Sequence, residues 1–429
     1  MIKPSVVDVL TLLFVASVAA SAQDLEHLSL RDAEQRAVQN HPQIRAIQFT
    51  ALAANESVHQ VRSAYFPTVY GSLTGARAES GSRIAAGGLN NPIILDRFAA
   101  GFSVGQLITD FGRTPHLVQS FGLRADAQRQ EVDNRRAEVL LQVDRAYFNA
   151  LRARAVERVA QETVAARQTV ADQVTALAAS GLRSGLDVSF ARVSLAEAQL
   201  LLVQARSDIQ AAFTTLSAAM GLSDSREYDL ADEPLPPQPA TDSPVLVAQA
   251  LRERPDVISE RFSGQAAAKF ADAERALSFP SISAVASAGM APYRELGLNG
   301  RYSAFGLNVN VPLTNGGLLT ARRAEASLMA RAAEQRLRDL ENRIARDVKT
   351  AWLEAHTSFL RLDLTQQLLS QASDASDLAQ ARYDLGLGSI VELTQAQLTR
   401  TRAEIEQATA QYDYQIRTAV LKFQLGALK

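Results

Sequence analysis

The residues able to do chemistry are few and far apart. The chain of 429 residues holds five histidines and no cysteine. His41 and His59 fall eighteen residues apart, five helical turns, yet about 27 Å separates them along an ideal helix, too far to share a metal. His27, His116 and His356 have no second ligand at usable spacing, so all five read as solvated or structural. Gly386-Leu387-Gly388 lacks the preceding strand and the third glycine of a dinucleotide-binding turn. No nucleophile has a visible partner, and the reading is of a protein that is not an enzyme and uses neither cofactor nor metal.

What chemistry remains gathers at two short breaks in long helical patterns. In the stretch from Arg382 to Leu393, Gly386 and Gly388 can take positive φ, and Ser389 can cap the returning helix. Glu392 then falls at the third helical position, where a capping box needs its acid. A second copy lies 205 residues earlier, with Gly181, Ser184, Asp187 and Val188 matching Gly386, Ser389, Glu392 and Leu393. Both breaks read as tips of helical hairpins, with Leu182 and Leu387 in the turns. Glu392 and Gln395 are three apart and so share one helix face. Glu392 is open to two readings, capping acid or charge presented to an axis, and the two are compatible.

The elements that must position these tips occur twice. A polar helix from Leu28 to about Ala64, interrupted at His41-Pro42, leads to strands at about 68–108 and a helical hairpin over 113–220. A linker over 223–242 follows, too rich in proline for helix or central strand. A second helix, strands at about 280–313 and a hairpin over 316–425 complete the chain. Arg254-Pro255-Asp256 matches His41-Pro42-Gln43 with its preceding Asn40 as the frame, and Ser278-Phe279-Pro280 matches Tyr65-Phe66-Pro67, both at an offset of 213. Asp110 and Gly112 match Asn315 and Gly317, beside Gly316, at an offset of 205; these mark the passage from strand to helix. The difference falls between the strands, where the loop from Glu79 to Pro92 belongs. The repeats therefore span 23–222 and 243–429.

Two patterns say what the elements build. Phe305, Leu307, Val309 and Val311 alternate with Ala304, Gly306, Asn308 and Asn310, as in an ordinary half-buried sheet or in a barrel wall between lipid and water. In the last long helix, Leu337, Ile344 and Ala351 recur every seven residues, as do Val348, Ala355, Leu362 and Leu369, so it should supercoil against neighbours. Residues 1–22 read as an export signal, with Lys3, the apolar run Val9 to Val18 and Ala20-Ser21-Ala22 before the cut. Past it no run of about 18 apolar residues exists, and the net charge of −2 offers no basic surface for nucleic acid. Four strands cannot close a barrel alone, so export, alternation and bare edges together favour the lipid reading and demand several chains. A periplasmic coiled-coil scaffold or adaptor would leave the strands idle, and a passive porin would not need helices of roughly 100 Å.

In this order and spacing, Arg254-Pro255-Asp256, Phe279-Pro280 before a strand, Val311 through Gly317 after one, and Tyr383 through Leu393 at the tip resemble the TolC-type outer-membrane efflux proteins. The resemblance covers nearly the whole mature chain. It implies a mainly α fold with a small antiparallel β portion, assembled as a homotrimer. Twelve strands would form a barrel in the lipid of the bacterial outer membrane, continued by a long α-helical barrel through the periplasm. It further implies an exit duct of tripartite efflux or type I secretion, docked at the tips (Gly181, Leu182, Ser184, Gly386, Leu387, Gly388, Ser389) to a periplasmic adaptor and an inner-membrane pump. By position, Tyr383 would tie to Asp187 on the neighbouring hairpin, and Glu392 would join a ring of carboxylates that attracts cations. Two departures stand out: Gly388 replaces a basic residue, and Gln395 replaces a second acid. The cargo is not written in the chain.

Overall fold

The computed structural model describes residues 26–77, 97–239, 243–293 and 299–428. The expected export signal and the loop from Glu79 to Pro92 lie outside the described residues.

Each half begins with two short helices broken at a proline. Strand β1 (His27–Leu28) precedes α1 (Leu30–Asn40), whose N-cap Ser29 closes a capping box with Asp32. Helix α2 (Pro42–Arg62) starts on Pro42, where the missing N–H costs nothing, and the His41 ring accepts the Gln43 N–H at 3.3 Å. The second half repeats this with α5 (Ser243–Glu253) and α6 (Pro255–Ala276), kinked at Arg254. Against these kinks press two helix ends. Gly221 and Gly426, both at positive φ, come so close that a Cβ would lie 2.8 Å from the Cα of His41 and 3.1 Å from the Arg254 nitrogen. The two halves thus share a tertiary joint as well as a motif.

Strands β2 (Thr68–Ala76), β3 (Arg97–Thr109), β5 (Ser281–Tyr293) and β6 (Arg301–Asn310) form one antiparallel sheet in the order β2-β3-β5-β6. The register decides what the sheet is for. Val69 faces Val104, Val104 faces Ala286, and Ala286 faces Phe305, so one face is mostly apolar across all four strands, with Gln106 near one end and Ser303 and Arg301 near the other. Leu73, Ala100 and Met290 line up on that face, as do Ile282 with Val309 and Ala284 with Leu307. The other face carries Thr68, Tyr70, Ser72, Ser103, Ser283, Ser287 and Asn308. The apolar face is bare: Phe305 is 77% exposed, Leu73 71% and Phe102 67%. A continuous apolar face of this size without cover is what lipid selects and water penalises.

Below the sheet, α3 (Arg113–Ala179) and α7 (Leu318–Asp384) run 67 residues each, roughly 100 Å at 1.5 Å per residue. They return as α4 (Gly185–Ala219) and α8 (Ile390–Gln424). Contacts run α4 to α3, α3 to α8 and α8 to α7, so α4 and α7 form the outer flanks. Packing is by small residues at heptad spacing: Ala191, Ala198 and Ala205 on α4, and Thr365, Ala372 and Ala379 on α7, are buried. The stripe of Ile344, Val348, Ala351 and Ala355 faces inward as its period requires.

The linker holds one element that its prolines concealed. Strand β4 (Asp229–Leu230) pairs in parallel with β1, just before the proline run. The Tyr147 hydroxyl lies 2.9 and 2.8 Å from the Leu28 and Ala231 carbonyls, and Tyr414 donates to the Pro237 carbonyl at 2.7 Å. The linker is a belt pinned across α3 and α8.

Candidate functional site at the hairpin tips

The tips are built twice by the same backbone device. Gly181 and Gly386 sit at φ 73° and 71°, and the N–H groups of Leu182 and Leu387 reach back to the Leu177 and Arg382 carbonyls at 2.9 and 2.8 Å. Only a residue tolerant of left-handed φ lets the chain leave a helix this way. The next helix is capped three residues later. Ser184 Oγ accepts the Asp187 N–H at 3.2 Å, and Asp187 Oδ2 accepts the Ser184 N–H at 3.1 Å, a closed box. At the second tip half of the expected box is missing. Ser389 Oγ accepts the Glu392 N–H at 3.1 Å, but the Glu392 carboxylate turns to Arg382, 3.1 Å from its Nε. Gly388 makes room for this: a Cβ there would stand 3.3 Å from both Arg382 Cβ and Glu392 Oε2.

Tyr383 is the plug between the two hairpins. It is 2% exposed and packs in a cluster with Val174, Ala191, Ile390 and Leu393, drawn from α3, α4 and α8. Arg183, in the first turn, donates from Nη2 to the Tyr383 carbonyl at 2.6 Å, and its guanidinium lies 4.2 Å from the ring centroid. The expected Tyr383–Asp187 hydrogen bond is not formed within the chain. The Tyr383 hydroxyl is buried without a hydrogen-bond partner among the described residues, and Asp187 is occupied at its cap. Burial pushes the phenol's pKa up against the opposing Arg183 charge, with smaller help from Asp187 and Asp384, so the tip holds a neutral tyrosine.

Sequence reasoning missed Arg183, and the signal was available. Arg183 stands 205 residues before Gly388, so the basic residue absent from the second turn is present in the first. It missed Arg382 too, whose charge offsets that of Glu392. Gln395 lies on the groove side of α8, with no hydrogen bond from its side chain among the described residues. Because the Tyr383 hydroxyl is unsatisfied, Tyr383→Phe is expected to stabilise the tip by about 1 kcal/mol. Thermal unfolding of the purified variant checks this, and a lowered midpoint would show that the hydroxyl has a use.

Where sheet meets hairpin, Asp110 Oδ2 accepts from the Thr114 N–H and hydroxyl at 2.8 and 2.6 Å. Gly112 follows at φ 107° as the N-cap of α3. Gly316 and Gly317, at φ 60° and 86°, make the corresponding bend before α7, with Asn315 Oδ1 3.5 Å from the Leu319 nitrogen. These residues turn the chain from wall to stalk. Among the described residues no group of three or more His, Cys, Asp or Glu could hold a metal.

A duplicated chain with an apolar-faced sheet at one end and paired helical hairpins at the other has the parts of a membrane channel. The chain belongs to the outer membrane efflux protein family, whose model matches residues 33–222 and again 246–427. It is 23% identical to outer membrane protein TolC of Escherichia coli over 93% of this chain and 82% of that one. It is 21% identical to the outer membrane efflux protein BepC of Brucella suis over 88% of this chain and 81% of that one. Its fold matches the solved outer-membrane channel OprN at a TM-score of 0.82, with 18% identity, across 93% of this chain and 90% of that one.

Proposed function

We propose that three copies close into one water-filled duct that crosses the outer membrane and extends through the periplasm as the exit of a tripartite exporter. The observation that carries this reading is the sheet register, which gathers the apolar side chains of four strands onto one uncovered face. The edges β2 and β6 have no strand partner on their outer sides among the described residues. The helical flanks match them. On α4, Leu186, Val193 and Leu200 repeat every seven residues and are exposed; on α7, Leu353, Leu360, Leu368 and Leu378 are exposed. Joining β6 to the next β2 and α7 to the next α4 is a head-to-tail contact, which closes a ring when the rotation allows. Three copies give twelve strands, the number that the family resemblance implies.

In this reading residues 1–22 are removed on export, residues 23–222 and 243–429 are the two repeats, and the exposed tip leucines Leu182 and Leu387 meet a periplasmic adaptor beneath an inner-membrane pump. Asp187, Tyr383, Glu392 and Gln395 stand at the closure. Leu200 and Leu368 lie at similar heights, about 22 to 24 Å above the tips at 1.5 Å per residue. In the cysteine-free chain, Leu200→Cys with Leu368→Cys is expected to give disulfide-linked dimers and trimers on non-reducing gels of outer membranes, and neither single variant should give trimers. Monomer alone from the double variant would sink the ring.

A further inference from the structure

Between α4 and α8, with α3 as its floor, lies a groove of about 570 Å³. It runs from Phe190 to Leu201 on one wall and from Thr394 to Ile405 on the other, about 17 Å at 1.5 Å per residue. Its walls are largely apolar, through Phe190, Leu398 and Ile405. Its floor holds Arg167, only 6% exposed. That guanidinium has no hydrogen bond or ion pair among the described residues, and burial lowers its pKa while Glu197 and Glu404 oppose the shift. Glu404 is itself engaged by Arg400 at 2.9 Å. A second cation, Arg402, lines the same groove without an ion pair, and Glu197 is the single carboxylate lining it. Among the lining residues cations outnumber carboxylates two to one.

A buried, unpaired charge is costly, and a ligand of opposite sign bound beside it would relieve that cost. The volume fits a small molecule. We propose that this groove is a subsite for small amphiphilic carboxylates, with the anion on Arg167 and Arg402 and a flat apolar body against Phe190, Leu398 and Ile405. The cargo class it favours is the organic acid. Placing the subsite inside the duct rests on the proposed function, because the groove shares the face of α8 that carries Gln395.

The test uses the full channel in lipid nanodiscs with 2-naphthoate and its neutral analogue 2-naphthamide. Calorimetry is expected to show naphthoate binding that Arg167→Gln weakens at least tenfold and Arg402→Gln weakens about threefold. Glu197→Gln should tighten it, and naphthamide should bind weakly and alike to every variant. Equal binding of the two probes, or unchanged naphthoate binding to Arg167→Gln, overturns the subsite. In planar bilayers, naphthoate added at the tip side should block the wild-type current and not that of Arg167→Gln. Arg167-dependent binding without block would put the groove outside the duct, overturning its place in the export path and leaving the binding site itself standing.

Discussion

Arg183→Ala is expected to raise the resting conductance of the channel in planar bilayers by at least tenfold, under the proposed closure at the tips. The side chain makes a charge-assisted hydrogen bond to the Tyr383 carbonyl at 2.6 Å and covers the ring face at 4.2 Å. Bonds of the first kind are worth about 1.5–3 kcal/mol and contacts of the second about 0.5–1 kcal/mol. Losing about 2–4 kcal/mol per chain shifts a closed-to-open ratio by roughly 30-fold to 1,000-fold. The contact joins the α3–α4 turn to the last turn of α7, so its loss frees one hairpin from the other and leaves each intact. Arg183→Lys should be intermediate, since an ammonium keeps the charge but lacks the planar face that covers the ring. Unchanged conductance in the alanine variant would place the closure elsewhere.

The same residue shows where the sequence was readable. Helices α3 and α7 were legible to within a residue or two because glycine turns, prolines and a seven-residue period mark their ends and faces. The strands β2 and β3 were legible for the same local reasons. What stayed hidden depended on contacts between distant segments. Nothing near Glu392 announces that Arg382 will take its carboxylate from the capping box, since the choice depends on the space that Gly388 leaves. Strands β1 and β4, two residues each, are too short to have a period; they exist because Tyr147 and the buried Leu28 hold them. Arg183 lay within reach, because comparing the two turns position by position leads straight from the missing base at Gly388 to it. The groove over Arg167 was out of reach, as three helices must be assembled before one of many arginines is seen to lack a partner.

Asp144→Asn is expected to remove most of the protein's loss of stability between pH 5 and pH 8.5. Asp144 is 4% exposed on α3, and its Oδ1 has no hydrogen-bond partner among the described residues. Burial raises its pKa to about 8, the Glu34 carboxylate on α1 adds to the shift, and Lys422 on α8 opposes it. An unfolded aspartate titrates near 3.9, so the folded state holds a proton that the unfolded state has released. The folded pKa is the raised one, and the contribution to stability is therefore complete below about pH 4 and is lost as the pH rises through about 8. The slope across that window is on the order of 1 kcal/mol per pH unit per chain. An asparagine keeps the shape and has no proton to lose, so its unfolding midpoint should match wild type near pH 4 and exceed it increasingly up to pH 8.5. Glu34→Gln should lower the titration midpoint without abolishing it, because desolvation is the larger cause. Parallel pH profiles for wild type and Asp144→Asn would mean that Asp144 is already ionised in the fold. In that case Lys422, or water reaching Oδ1, would have to supply the compensation that the packing around α1, α3 and α8 does not provide.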